Sequence, residues 1–176
     1  LDGVRDIVSR VLKERIWSKE MKYVCSLIVV KDVQRSRYFY EKLGQKVKYD
    51  FGENIEFDGG FAIHLEEHYE KLLGIGQNNI QNKSNNFELY FETEEIGRVF
   101  DEMKEVGVEF IHEVREQPWG QRVMRFYDTD YHIIEVGESM ESVAIRYFQS
   151  GMTVEDICKR TSLPGEFVRK AIDLGE

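Results

Sequence analysis

Alternating apolar and polar residues over 23–30 read as a β-strand. A three-to-four-residue apolar period from 33 to 43 then reads as an amphipathic helix, capped by Asp32 and stopped by Gly44. Short strands follow at 47–51, 54–57 and 61–65, with Gly59-Gly60 turning the chain into the last of them, and 66–73 reads as a polar helix. The same series then returns. Strands are predicted at 87–92, 108–114, 122–127 and 131–136, with a helix over 95–106 ended by Gly107. Val33, Ser36, Tyr40, Leu43 and Gly44 fall opposite Ile96, Val99, Met103, Val106 and Gly107, each at an offset of 63, and Arg35 falls on Arg98. Identity between the copies is low, so the signal lies in pattern and spacing. Each copy is a β-α-β-β-β unit too short to bury its apolar face alone. Two units are therefore expected to pack face to face, with the seam between them as the natural ligand site.

Three segments lie outside the repeats. Val4, Ile7, Val8, Val11, Leu12 and Ile16 form a helical stripe over 1–20, where five basic and four acidic residues nearly cancel. A docking helix is expected there rather than a membrane-surface one. Residues 74–86, rich in Asn, Gln and Gly, read as the connector. From 138 onward the period is helical. One helix ends at Gly151, a second starts behind Thr153, and a third opens at Pro164 with Phe167, Val168, Ala171 and Ile172 on one side. The expected division is an amphipathic helix at 1–20, a central domain at 21–137 (repeats 22–66 and 85–137), and a helix-turn-helix-like appendage of three helices at 138–176.

Charge narrows the partners. The formal net charge is −9, spread diffusely, which gives no general attraction to nucleic acid or anionic lipid. The appendage carries five basic and seven acidic residues, and its last helix sets Arg169 and Lys170 against Glu166 and Asp173. Duplex DNA wants a basic face, so packing or dimerisation is the expected role. No apolar run is long enough to span a membrane, and no signal-peptide stretch stands near the start. Cys25 and Cys158 are far apart and suggest no disulfide, so a reducing cytoplasm is the expected location. The chain begins at Leu1, as a trimmed product or a piece of a longer one would.

Specific motifs in the central segment resemble the vicinal oxygen chelate superfamily, which includes glyoxalase I, bleomycin-resistance and fosfomycin-resistance proteins and extradiol dioxygenases. Ile28-Val29-Val30-Lys31-Asp32-Val33 and Tyr38-Phe39-Tyr40-Glu41-Lys42-Leu43-Gly44 are similar to its first strand and helix. Phe126-Tyr127-Asp128-Thr129-Asp130 and Ile133-Ile134-Glu135 are similar to its last turn and strand, and Pro118-Trp119-Gly120 to its penultimate loop. The resemblance covers about 22–137 and implies an α+β fold in which paired βαβββ units form an open, barrel-like cradle. It also implies that a divalent metal (Zn, Ni, Mn or Fe), when present, sits between the units on the positions of Cys25, His64, Glu88 and Glu135. Strand parity places these four on the concave side, because Ile28, Ile63, Leu89 and Ile134 take the helix side, while His132 falls away from it. This chain departs from metal-binding relatives, which have His at the Cys25 and Glu88 positions and often Glu at that of His64. A histidine and two carboxylates still make a donor set for a first-row ion, with the thiol as a softer fourth ligand. Without an ion, Glu88 and Glu135 would face each other, and a shared proton or a cationic group would have to separate them.

The resemblance implies three functions. The first is a glyoxalase-like lyase or isomerase in which the ion holds two adjacent oxygens of a small substrate and Glu88 or Glu135 moves the proton. The second is a metal-free binding protein of the bleomycin-resistance kind. The third is a ligand-sensing regulator that uses the C-terminal helices. Tyr90, Trp119 and Arg122 are the candidate pocket residues, and a homodimer is expected. Two other motifs carry less. His64-Leu65-Glu66-Glu67-His68 matches a zinc-protease pattern literally, but the double glycine before it and the repeat put His64 on a strand. Gly74-Ile75-Gly76 lacks the later glycine and the Lys-Ser/Thr of a phosphate loop.

Overall fold

The computed structural model describes residues 22–74 and 80–175. The expected helix at 1–20 and part of the connector lie outside the described residues. The first unit comprises β1 (Ser26–Val30), α1 (Val33–Lys42), β2 (Val47–Asp50), β3 (Asn54–Phe57), β4 (Phe61–Leu65) and the short α2 (Glu66–Leu73). The second comprises β5 (Glu88–Thr93), α3 (Ile96–Val106), β6 (Phe110–Glu116), β7 (Arg122–Tyr127) and β8 (Ile133–Glu138). Then come α4 (Met140–Gln149), α5 (Val154–Thr161) and α6 (Gly165–Gly175).

The two sheets have the same wiring. Their strand orders are β1-β4-β3-β2 and β5-β8-β7-β6, with β1/β4 and β5/β8 parallel and the other pairs antiparallel. Both are open sheets rather than closed barrels, as the resemblance implies. Local chemistry explains the boundaries. The Asp32 carboxylate accepts from the backbone N–H groups of Gln34 and Arg35 at 3.0 Å and so starts α1. Gly107 ends α3 in the left-handed region at φ 76°. Strand β1 begins three residues later than the alternation suggests, and Tyr23 and Val24 before it are exposed.

Strand parity sets the core. Ile28, Val30, Ile55, Phe57 and Ile63 of the first sheet and Leu89, Met124, Phe126, Ile134 and Val136 of the second enter one apolar cluster with Tyr40 and Met103 of the helices. The units thus meet through their helix-bearing sides. The opposite, concave faces of both sheets lie away from that shared core. This corrects the expectation that the two concave faces meet within the chain to form one site. Repeat spacing shows that the units are alike, but not which sides bury more apolar area when they pack.

A polar clasp fixes the seam. Tyr40 Oη donates to Asp128 Oδ2 at 2.6 Å in the buried interior. Asp128 also accepts from the backbone N–H groups of Asp130 (2.9 Å) and His132 (2.8 Å) and from His132 Nδ1 (2.9 Å). Beside it, Asp130 accepts from the Lys31 backbone, Arg35 and Ser36, each at 3.1 Å. Burial alone would raise the Asp128 pKa, but the hydrogen bonds from His132 and Tyr40 hold it below the ordinary value. Burial, and then the Asp128 carboxylate, push the Tyr40 phenol well above its own.

The C-terminal helices build a separate small core from Val143, Ala144, Tyr147, Ile157, Val168, Ala171 and Ile172. Glu138, 2% exposed, fastens them to the second sheet. It accepts from Arg122 Nε at 2.8 Å and from Arg146 Nη2 at 3.0 Å. Glu116 accepts from Tyr147 Oη and Arg160 Nη2, each at 3.0 Å. Gly120, at φ 88°, lies directly against the Tyr147 phenol, where any Cβ would overlap it. No helix among the described residues is long and apolar enough to cross a membrane.

Tyr40→Phe should reduce unfolding free energy by about 1–2 kcal/mol in chemical denaturation, because it leaves Asp128 Oδ2 one donor short while keeping the ring.

Candidate functional site

The concave face of the second sheet is organised around Arg125. With Met124 and Phe126 packed on the helix side, Arg125 projects to the same side as Glu135, its register partner on β8. Its Nε donates to Glu88 Oε2 at 3.0 Å, and its Nη2 forms an ion pair with Glu135 Oε2. Nη1 lies 3.3 Å from His112 Nε2. The other imidazole nitrogen of His112 is 2.9 Å from the Glu113 carbonyl, which can only accept. His112 Nδ1 therefore carries the proton and Nε2 receives the guanidinium hydrogen. The Glu135 side chain is 9% exposed, that of Glu88 40% and that of Arg125 25%, so the pair becomes drier toward β8.

Tyr90 is 46% exposed on the same face. Its hydroxyl donates to Glu92 at 2.8 Å and accepts from Gln121 Nε2 at 2.8 Å. Burial of its ring and the hydrogen bond to Glu92 push its pKa up to about 12. Gln121 is buried. It also donates to the Glu138 carbonyl at 2.7 Å and accepts from Trp119 Nε1 at 3.0 Å. Tyr90 and Trp119 thus share one amide. Arg122 lies elsewhere, on Glu138 at the root of the C-terminal helices.

The first sheet carries an imidazole pair. Asn54 Nδ2 donates to the Ile63 carbonyl, which fixes its amide, and lies 3.2 Å from His64 Nδ1. His64 Nδ1 is therefore the acceptor and Nε2 the protonated nitrogen, which meets His68 Nδ1 at 2.9 Å. The rings stack at 5.1 Å, and Tyr69 lies 5.5 Å from His64. His64 is on β4 and His68 on α2, so the two histidines of the protease-like pattern meet across a strand-to-helix junction, not along one helix. Cys25 is half-buried immediately before β1.

The candidate ligands thus divide between the sheets. Glu88 and Glu135 come together, as parity predicts, but the cation between them is Arg125. His64 is committed at both nitrogens in the other sheet. Among the described residues, no three His, Cys, Asp or Glu side chains are placed to hold a metal ion. Within one chain the donor set does not fit a metal centre. Its two carboxylates are already paired with one guanidinium.

The fold and this paired-sheet face are those of the vicinal oxygen chelate class. A glyoxalase-like domain model matches residues 23–141, and the chain belongs to that family. A crystal structure of a protein of unknown function from Agrobacterium tumefaciens str. C58 is 40% identical, covering 70% of this chain and 98% of its own, with a TM-score of 0.60. A glyoxalase/bleomycin resistance protein/dioxygenase from Nocardioides is 16% identical over 75% of this chain and 92% of its own, with a TM-score of 0.56. A lactoylglutathione lyase from Agrobacterium tumefaciens is 14% identical over 69% and 96%, with a TM-score of 0.52. The last two show the fold alone. No curated protein matches significantly.

Arg125, His112, Asn54 and Gln121 are residues of these clusters that the sequence reading passes over, and it meets His68 only in the protease-like pattern. Arg125 was within reach, since the parity that assigns Glu135 also assigns it.

Arg125→Met should cost about 3 kcal/mol of stability, because it leaves the largely buried Glu135 carboxylate without its counter-charge. Adding Glu135→Gln should recover most of that loss, and a double-mutant cycle by urea denaturation reads the coupling.

Burial, and then His68, lower the His64 pKa. The unfolded chain therefore takes up this proton first as pH falls. The contribution of His64 is intact above the unfolded value of about 6.5 and is lost as pH drops through the folded value. Unfolding free energy should decline as pH falls below about 6.5 in the wild type, and less steeply in His64→Asn.

Proposed function

We propose that this chain binds a small polar molecule on its concave faces without a metal ion, in the manner of the drug-binding branch of its superfamily. The carrying observation is Arg125 set between Glu88 and Glu135. A guanidinium there supplies the positive charge that the carboxylates require, and it presents a fixed, partly exposed donor face. Tyr90, the register partner of Glu135, sets an exposed ring beside the cluster and is joined to exposed Trp119 through Gln121, while Arg122 acts at the root of the C-terminal helices. Glu88 and Glu135 position Arg125 and are not free proton carriers. A lyase or isomerase on this fold would have to draw its base from the His64–His68 pair instead.

The ligand site is completed by a second copy. Strands β1 and β5 are edge strands with apolar runs and no lysine or proline to guard them. Leu27, Phe87 and Tyr90 are exposed beside them. A twofold partner that brings its first sheet over this chain's second would cover both edges and set an imidazole pair opposite an Arg125 cluster. The acidic C-terminal helices support packing, not nucleic-acid binding. Free thiols at Cys25 and Cys158 are consistent with a reducing cytoplasm.

Protein purified without chelator should contain no stoichiometric transition metal by elemental analysis, and should sediment at twice 20.8 kDa. One metal per chain, lost in Glu88→Gln or Glu135→Gln, would overturn the metal-free reading. A monomer would overturn the shared site.

A further inference from the structure

At the far end of β7, two residues along from Arg125, Tyr127 and Tyr131 stand edge to face. Their ring centres are 5.8 Å apart and their planes cross at 68°. The ammonium of Lys83, from the segment that joins the two units, lies 4.8 Å from the Tyr127 ring centre and 4.5 Å from that of Tyr131. Glu109 closes a third side, its Oε1 accepting from Lys83 Nζ at 2.7 Å. Two ring faces and a carboxylate around one ammonium form a recognition box for an alkylammonium head. The ring quadrupoles attract the cation without demanding hydrogen bonds, so a methylated head fits as well as a protonated one.

The walls are held by bonds that do not involve Lys83. Tyr127 donates its backbone N–H to the Glu109 carbonyl at 3.0 Å and its hydroxyl to Asn85 at 2.8 Å. Tyr131 is kept in the left-handed region, at φ 68°, by the Asp128 turn that α1 clasps. Beside the box a cleft of about 250 Å³, lined by Phe39, Val108 and Asp128 together with the box residues, leaves room for the rest of a small ligand. Lys83 occupies the box from an exposed segment. Its backbone is also left-handed, at φ 52°, and its side chain is 42% exposed.

We propose that Tyr127, Tyr131 and Glu109 form a binding site for a small methylated ammonium compound, which Lys83 fills as an internal stand-in when none is present. The proposal does not depend on how the concave faces are used. Choline and its neutral carbon isostere, 3,3-dimethylbutan-1-ol, test it by calorimetric titration of the full chain. Choline should bind about ten-fold more tightly than the isostere, the margin expected of a partly desolvated cation–π box. Lys83→Ala, which removes the competitor, should tighten choline binding further, and Glu109→Gln should weaken it in either background. In the wild-type chain, amide NMR shifts on adding choline should centre on Lys83, Glu109, Tyr127 and Tyr131. Equal affinity for the two probes, no gain from Lys83→Ala, or shifts centred elsewhere would each overturn the proposal.

Discussion

The rest of the structure hangs on the buried hydrogen bond between Tyr40 and Asp128. A carboxylate in an apolar seam is tolerated only when its lone pairs are filled, and here four donors fill them. Three come from Asp128's own turn and one from α1 of the other unit. Asp130 adds three more contacts to the first unit. The arrangement admits little relative rotation of the units, because any slip leaves a buried anion short of a partner. It also presses the helix-bearing sides together, so both concave faces are turned outward. Which faces of the two sheets stay open is decided by this seam.

An arginine on the outward face changes what the fold can do. A divalent ion and a guanidinium both neutralise paired carboxylates, but a guanidinium offers planar donors in fixed directions and no open coordination position. Two carboxylates against one guanidinium leave the cluster of Arg125, Glu88 and Glu135 with one net negative charge. Burial favours the neutral form of His64 in the first sheet, and adding a proton at its Nδ1 would break the Asn54 contact. The two faces are thus suited to orienting a polar molecule by directed hydrogen bonds, with little charge-driven attraction.

Much of this was legible in the sequence. Period and capping placed every described strand and helix to within a few residues, because Asp32, Gly44, Thr153 and Gly107 act locally. Parity put Glu88 and Glu135 on one face, and the physics of facing carboxylates called for an ion, a cationic group or a shared proton between them. That Arg125 is the cation was not legible, and Arg122 on the same strand, the candidate pocket arginine, is drawn instead to buried Glu138. Choosing between two arginines three residues apart depends on what packs at each end of the strand. The orientation of the two units was illegible for a related reason: a repeat constrains each unit and leaves their docking to summed buried area. The contact of His64 with His68 depends on the bend between β4 and α2, which no periodicity encodes.

The C-terminal helices show how a lone added module can be joined to such a face. Their attachment runs through Glu138, Glu116 and the close approach of Gly120 to Tyr147, all on or beside the β6–β7 loop and the end of β8. Gln121 sits between that joint and the exposed surface, bonded to the Glu138 carbonyl on one side and to Tyr90 and Trp119 on the other. A buried amide that loses a partner incurs the full desolvation penalty. A molecule at the Tyr90 hydroxyl can accept its hydrogen in place of Glu92, donate to it alongside Gln121, or shift Gln121, and a shift there also strains the bond at the root of α4. The outward face and the helical module are mechanically joined through this one side chain.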